Sequence, residues 1–322
     1  MTKTRRHVLA TLAAIALLAA PALSHAETIR IGLPTKTYWP TTVAEAAKSQ
    51  KLFEKEGITA ELTIYRGGAE TFEAMAAGAA DLILDAPSLS AAGRKKGVMS
   101  KVVANGAMGN FGWQLMVLAK SPLGVKDLNG KKVGITSAGS GSDLLALWTV
   151  QDKKIDFTSV PVGGGGLVPN LLAGNIDAAV VYSPLSFQIA KSGEARTILD
   201  YAKDVPPNLT SGWIATDKYA QEKPEVLQKA LNALYGGVMF MRNNREAAIK
   251  LIAELYEMPP DIAAAEYENT ILQLETNGDM SAPNIKDALQ LSLDMAKLGG
   301  MKDLVPASEI ISTQFKPVAT KP

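Results

Sequence analysis

The residues of this sequence that could handle a small ligand sit in six loops, each between a short apolar run and a helix-like segment. The strongest candidate is Ser137-Ala138-Gly139-Ser140-Gly141-Ser142. Glycine lets backbone N–H groups approach a ligand, a helix amino end favours negative charge, and serine adds rotatable donors. Ser137, Gly139, Ser140, Gly141 and Ser142 therefore read as a cradle for an anion. A tight turn closed by a Ser142 cap is the plainer alternative. The segment lacks the Gly-Lys-Ser/Thr ending of an ATP-binding loop. The remaining loops hold Thr37, Tyr38 and Trp39; Arg66, Gly67 and Gly68; Pro87 and Ser88; Gly164 within four consecutive glycines; and Tyr182 before Ser183-Pro184. A guanidinium suits a carboxylate or sulfonate, so Arg66 is the candidate partner of an acidic ligand. An exposed strand-end arginine is the alternative, and Lys36 stands similarly.

Aromatic residues make up 6% of the chain, which makes their positions informative. Tyr38, Trp39 and Tyr182 lie in loops that could wall a planar ligand. Trp113 and Trp213 lie where the chain is expected to cross between two halves, and read equally as cleft walls or as hinge packing. Trp148 reads as a helix-core residue.

Catalytic groups are scarce. There is no cysteine, and the two histidines are His7 and His25. Both lie in a leader-like start with three cations (Lys3, Arg5, Arg6), an apolar run over 8–23 broken by Pro21, and the small-residue step Ser24-His25-Ala26. The run falls short of the roughly 20 residues that span a membrane. Residues 1–26 are thus expected to be removed by a secretory or twin-arginine route. The mature protein, beginning near Glu27, then lacks histidine, thiols and disulfides. No Asp/Glu pair has a convincing loop context. A binder, not an enzyme, is expected, with no cofactor or metal, located in the periplasm without a lipid anchor.

About 296 residues remain after the leader, enough for two lobes. The formal charge of +1 falls to about −2 without the three leader cations. That balance gives no support to nucleic-acid binding.

Those loops need a scaffold, and the hydrophobic rhythm supplies one. Strands are predicted at 29–33, 60–65 and 82–84, with helices at 42–56 and 70–77 between them. The rhythm restarts with strands at 115–119, 132–136, 159–162 and 178–182, and the chain turns helical from 224 to 299. Alternation of this kind implies α/β lobes with mostly parallel sheets. Lobe 1 is expected over 27–113 and 213–322 and lobe 2 over 114–212, with hinges near 113–115 and 211–213. The tail after Pro306 is expected to wrap loosely.

Four short motifs then point to a family. Residues 127–135 (Asp-Leu-Asn-Gly-Lys-Lys-Val-Gly-Ile) resemble the "D-L-x-G-K-x-V" entry to the second lobe of periplasmic substrate-binding proteins. Met75-Ala76-Ala77-Gly78-Ala79-Ala80-Asp81 and Leu172-Ala173-Gly174-Asn175-Ile176-Asp177-Ala178 resemble its "A-G-x-x-D" steps, and Val181-Tyr182-Ser183-Pro184 its following turn. The branch is that of the nitrate, sulfonate, taurine and thiamine-precursor importers, and the resemblance covers nearly the whole mature chain. It implies two α/β lobes of the type II binding-protein fold, closing over a ligand in the cleft. It also implies an ABC permease and its ATPase as partners, and a protein that is a monomer. Members bind anions at the step corresponding to residues 137–142. A small organic anion, sulfonate or carboxylate and possibly aromatic, is the expected ligand. A heteroaromatic thiamine precursor is the alternative ligand, and a carboxylate-based enzyme or a sensor on the same scaffold the alternative role. Asp81 and Asp177 read as structural, accepting backbone amides.

Overall fold

The computed structural model describes residues 26–322; the expected leader lies outside them. Strand β1 (Glu27–Leu33) buries Ile29, Ile31 and Leu33 completely. In helix α1 (Trp39–Ser49), Pro40 suits the first turn, and Val43, Ala46 and Ala47 return at helical spacing to the core. The spacing predicts one helix through residue 56. Instead Lys51 adopts a left-handed φ of 55°, and a separate short turn inserts Leu52 and Phe53 into the core. Strand β2 (Ile58–Ile64), helix α2 (Gly68–Ala76), strand β3 (Leu82–Asp85), helix α3 (Pro87–Lys95) and strand β4 (Ser100–Ala107) follow.

The chain crosses through 108–113 into β5 (Gln114–Leu118). The second lobe adds β6 (Lys132–Ile135), α4 (Gly141–Lys153), β7 (Thr158–Pro161), β8 (Ala178–Val181), α5 (Leu185–Lys191) and β9 (Ala195–Asp200). The chain returns through 201–210 into β10 (Ser211–Thr216), which enters the first sheet. The strand orders are β2-β1-β3-β10-β4 and β7-β6-β8-β5-β9. In both sheets the first three strands are parallel, while the strand received from the other lobe pairs antiparallel on both sides. Each sheet is therefore mixed, where the rhythm suggested mostly parallel pairing. Residues 211–213 open β10 directly after the return crossing, and Trp213 packs in the lobe 1 core.

The two "A-G-x-x-D" steps do the same work in both lobes. Asp81 accepts the Arg30 amide at 2.9 Å and Asp177 the Lys132 amide at 2.8 Å. Each carboxylate ties the start of one strand to its parallel neighbour.

Helix α6 (Pro224–Asn243) lies against α1, and Gly237 permits the approach, since a Cβ there would sit 2.6 Å from the Val43 carbonyl oxygen. Helix α7 (Pro260–Asn269) reaches lobe 2 at α5, and α8 (Pro283–Leu298) packs on both α3 and α4. The tail is pinned rather than loose: Ile311 bridges Val102, Phe315 is buried, and the Thr320 amide donates to the Asn232 carbonyl at 3.1 Å. Trp148 is buried in the lobe 2 core, as its helical position implied.

Candidate ligand cleft

The carboxyl ends of β1 and β3, the amino ends of α2 and α4, and the two crossing segments converge on one cavity between the lobes. That is where an open α/β sheet collects ligands. Tyr38 from lobe 1, Tyr182 from lobe 2 and Trp113 from the first crossing wall it. Their ring centroids lie 5.3–5.6 Å apart at steep angles, the edge-to-face arrangement aromatic rings favour. The Trp113 indole donates to the Tyr38 hydroxyl at 3.3 Å. Tyr38 also packs against both lobe cores, so its position is held from two sides.

The lobes are shut on one another. The Gly164 amide donates to the Arg66 carbonyl at 2.9 Å, the Ala69 amide to Ser137 Oγ at 3.4 Å, and the Thr37 and Tyr182 hydroxyls meet at 3.3 Å. Gly67 and Gly164 let the rims touch: a Cβ on Gly67 would lie 2.8 Å from Ser137 Oγ, and one on Gly164 2.5 Å from Thr35 Cγ2. The cavity inside is about 60 Å³, which restricts its occupant to a small molecule unless the lobes part.

Of the residues expected from sequence, Tyr38, Gly68, Ser140, Gly141 and Tyr182 line this cavity, and Thr37, Gly67, Ser137 and Gly164 form the closing contacts. The others lie elsewhere. Trp39 and Trp213 are lobe 1 core residues, and Pro87 and Ser88 are buried in the first turn of α3. Arg66 points outward, 85% exposed, with its guanidinium on Glu70 at 2.5 Å. Lys36 is exposed as well.

The cradle's hydroxyls are bonded within the turn. Ser140 caps α4, accepting from the Asp143 amide and donating to the Ser137 carbonyl at 2.6 Å, while Ser142 Oγ accepts the Thr136 amide at 2.9 Å. The Gly139 amide donates to Asp143 Oδ2 at 2.8 Å. The segment is thus a capped turn with Ser140, not Ser142, as the cap, and it withdraws the serine hydroxyls and one amide from a ligand.

Residues that the loop reading passed over supply the polar chemistry. Thr35 Oγ1, Asp85 Oδ2, Asn110 Nδ2 and Ser211 Oγ are buried, lack a hydrogen-bond partner, and belong to residues lining the cavity. Asp85 ends β3, and Gly68 lies on it so closely that a Cβ would sit 2.3 Å from its Oδ1. The Ala86 amide donates to Oδ1 at 2.8 Å. Burial pushes the Asp85 carboxyl up to about 7 against that single bond. No lysine or arginine lines the cavity. Behind the aromatic wall, Glu266 of α7 is fully buried and is likewise pushed up to about 7 by burial. Ser183 and Thr270, bonded to each other at 2.7 Å, soften this shift without giving Glu266 a hydrogen bond of good geometry.

Two α/β lobes joined by two crossing segments and shut over an aromatic cleft define a periplasmic-binding-protein fold. The chain belongs to the NMT1/THI5-like family, whose profile matches residues 42–248. A Brucella abortus (strain 2308) protein, provisionally named a binding protein, is 26% identical over 273 residues, spanning 82% of this chain and 83% of its own. The alkanesulfonate-binding protein SsuA of Xanthomonas axonopodis pv. citri, solved with MOPS bound, superposes with a TM-score of 0.77 at 19% identity, over 90% of this chain and 99% of its own. The periplasmic nitrate-binding protein NrtA of Synechocystis PCC 6803 superposes at 0.67 with 14% identity, over 90% and 92%. Among the described residues no helix is long and apolar enough to cross a membrane.

Proposed function

We propose that the protein is the periplasmic solute-binding component of an ABC importer, not an enzyme, and that lobe closure captures one small, flat heteroaromatic molecule for a membrane permease. The observation that carries this reading is the ring cluster of Tyr38, Trp113 and Tyr182, drawn from both lobes and the crossing between them. A ligand that touches all three rings binds the closed arrangement better than the open one, which is the condition for closure to follow binding. The leader-like start and the printed names of the structural neighbours support the periplasmic role. The heteroaromatic alternative is preferred to a sulfonate or nitrate for two reasons. No cation lines the cavity, and the cradle's serine hydroxyls and the Gly139 amide are bonded within their own turn.

A thermal-shift screen over pyrimidines, aromatic carboxylates, sulfonates and nitrate, followed by small-angle scattering, tests this. Stabilisation by a pyrimidine, with compaction and recovery of unchanged ligand, is expected. A sulfonate or nitrate that binds with compaction keeps the importer role and overturns the ligand class. An unchanged radius of gyration at saturation overturns closure.

A further inference from the structure

Resting on the closure reading above, we propose that Asp85 is the specificity-determining residue of the cleft and pairs with a nitrogen base. The base offers an N–H donor, as an amidine, aminopyrimidine or guanidine-like group does. The ligand is then selected for a charge opposite to that of sulfonates and nitrate.

Three observations meet here. Asp85 Oδ2 is buried, unpartnered and at the cavity wall, so the chain leaves an acceptor unsatisfied where a ligand would sit. Such an atom costs stability unless something bound supplies the missing donor. Second, Gly68 holds the α2 amino end against the carboxyl, so the group cannot swing away into solvent. Third, no fixed positive charge lines the cavity to neutralise it, and the nearest loop cation, Arg66, is turned outward to Glu70. Tyr38, from the same lobe, is a titratable side chain whose ionisation Asp85 opposes. Asn110 Nδ2, also unpartnered, offers a donor to an acceptor on the same ligand. A donor–acceptor edge on one ring, with its faces against tyrosine and tryptophan, fits this set. Once Asp85 is ionised, a carboxylate or sulfonate would place like charge beside it.

A pairing of this kind has a proton signature. Below pH 7 the free carboxyl is largely protonated, so a fixed cation entering the cleft displaces that proton to solvent. The probes are benzamidine and 4-aminopyrimidine against benzoate and benzenesulfonate, titrated calorimetrically at pH 6 in two buffers of different ionisation enthalpy and again at pH 8, where Asp85 is ionised. The bases are expected to bind, benzamidine with release of a proton at pH 6, and the anions to bind at least about 30-fold more weakly at pH 8. Asp85→Asn is expected to lose affinity for benzamidine by at least about 30-fold, the range for removing one partner of a buried charge pair, and to lose the proton release. Its melting curve verifies folding first. Anions that bind as tightly as the bases, no binding by any of the four, or an unchanged preference in folded Asp85→Asn would overturn the proposal. If the anions also compact the protein in scattering, closure stands and only the role of Asp85 fails. If a probe that binds leaves the radius of gyration unchanged at saturation, closure fails too.

Discussion

An unliganded cleft that keeps a carboxyl dry should destabilise the protein, and Asp85→Asn should expose by how much. The ordinary value for the carboxyl is 3.8 and the folded value is about 7. Below pH 3.8 both folded and unfolded chains hold the proton, so the group costs nothing through ionisation. As pH rises the unfolded chain ionises first, and the folded state loses stability until Asp85 itself ionises near 7. At about 1.4 kcal/mol for each tenfold change, the gap between 3.8 and about 7 costs the folded state about 4 kcal/mol at pH 8 and about 0.5 kcal/mol at pH 4. Asparagine keeps the shape and the acceptor for the Ala86 amide but cannot ionise. Its unpartnered amide replaces an unpartnered hydroxyl, so that cost cancels between the two pH values.

Melting of parent and Asp85→Asn at both pH values reads the difference directly. At roughly 2 °C per kcal/mol for a chain of this size, the variant should gain about 7 °C more at pH 8 than at pH 4. Affinity for a base should fall in the same variant, the usual exchange of stability for function at a binding site. Equal gains at the two pH values would refute the reasoning, because the carboxyl would then be solvated or paired in the free protein.

Glu266→Gln should also raise the melting temperature more at pH 8 than at pH 4, since burial lifts Glu266 from 4.5 to about 7 in the same direction; paired melting curves check it. Gly164→Val should keep the fold but hold the lobes apart, because its Cβ meets Thr35 Cγ2 at 2.5 Å and the Tyr182 hydroxyl at 2.7 Å. Scattering with ligand should then show no compaction. Ser142→Ala should lose about 1–3 kcal/mol of stability by stranding the buried Thr136 amide, with calorimetric affinity essentially unchanged. Arg66→Ala should change neither melting nor affinity, its guanidinium being exposed and paired with Glu70.

The parts of the fold that were legible in sequence are those where a strand and its helix are neighbours in the chain. β1, β2, β3, β6 and β8, and the helices after β1 and β2, follow from apolar runs and glycine stops. β4, β9 and β10 went unassigned because their sheet partners are distant in sequence or arrive only after the chain has crossed between lobes. β10, with Gly212 and Trp213 in its middle, becomes a strand by fitting between β3 and β4. The cleft loops were legible as loops, but not which atoms in them were free. Ser140 and Ser142 look like donors in sequence, and only the turn reveals that Thr136 and Asp143 use them. Asp85 carried no signal of its own in sequence. Asp81 and Asp177 precede their strands and are satisfied by neighbouring amides, whereas Asp85 ends β3, and only the fold places it at the cleft with Oδ2 unsatisfied.

The similarity to sulfonate- and nitrate-binding proteins and the charge of this cleft are compatible once frame and lining are separated. The sheets, their antiparallel exchange strands and the two crossings set where a cavity forms, and they depend on apolar spacing that tolerates much substitution. The sign of the ligand depends on a few side chains at strand ends. An oxyanion site needs amides left free at a helix start or a cation turned inward. Here Asp143 takes the Gly139 amide, the serine hydroxyls are bonded within the turn, and Arg66 faces solvent. What remains inward is one unsatisfied carboxylate oxygen beside three aromatic rings. An electron-poor ring carrying N–H donors satisfies that oxygen and those ring faces together, whereas an anion of the same size satisfies only the rings and meets repulsion at Asp85.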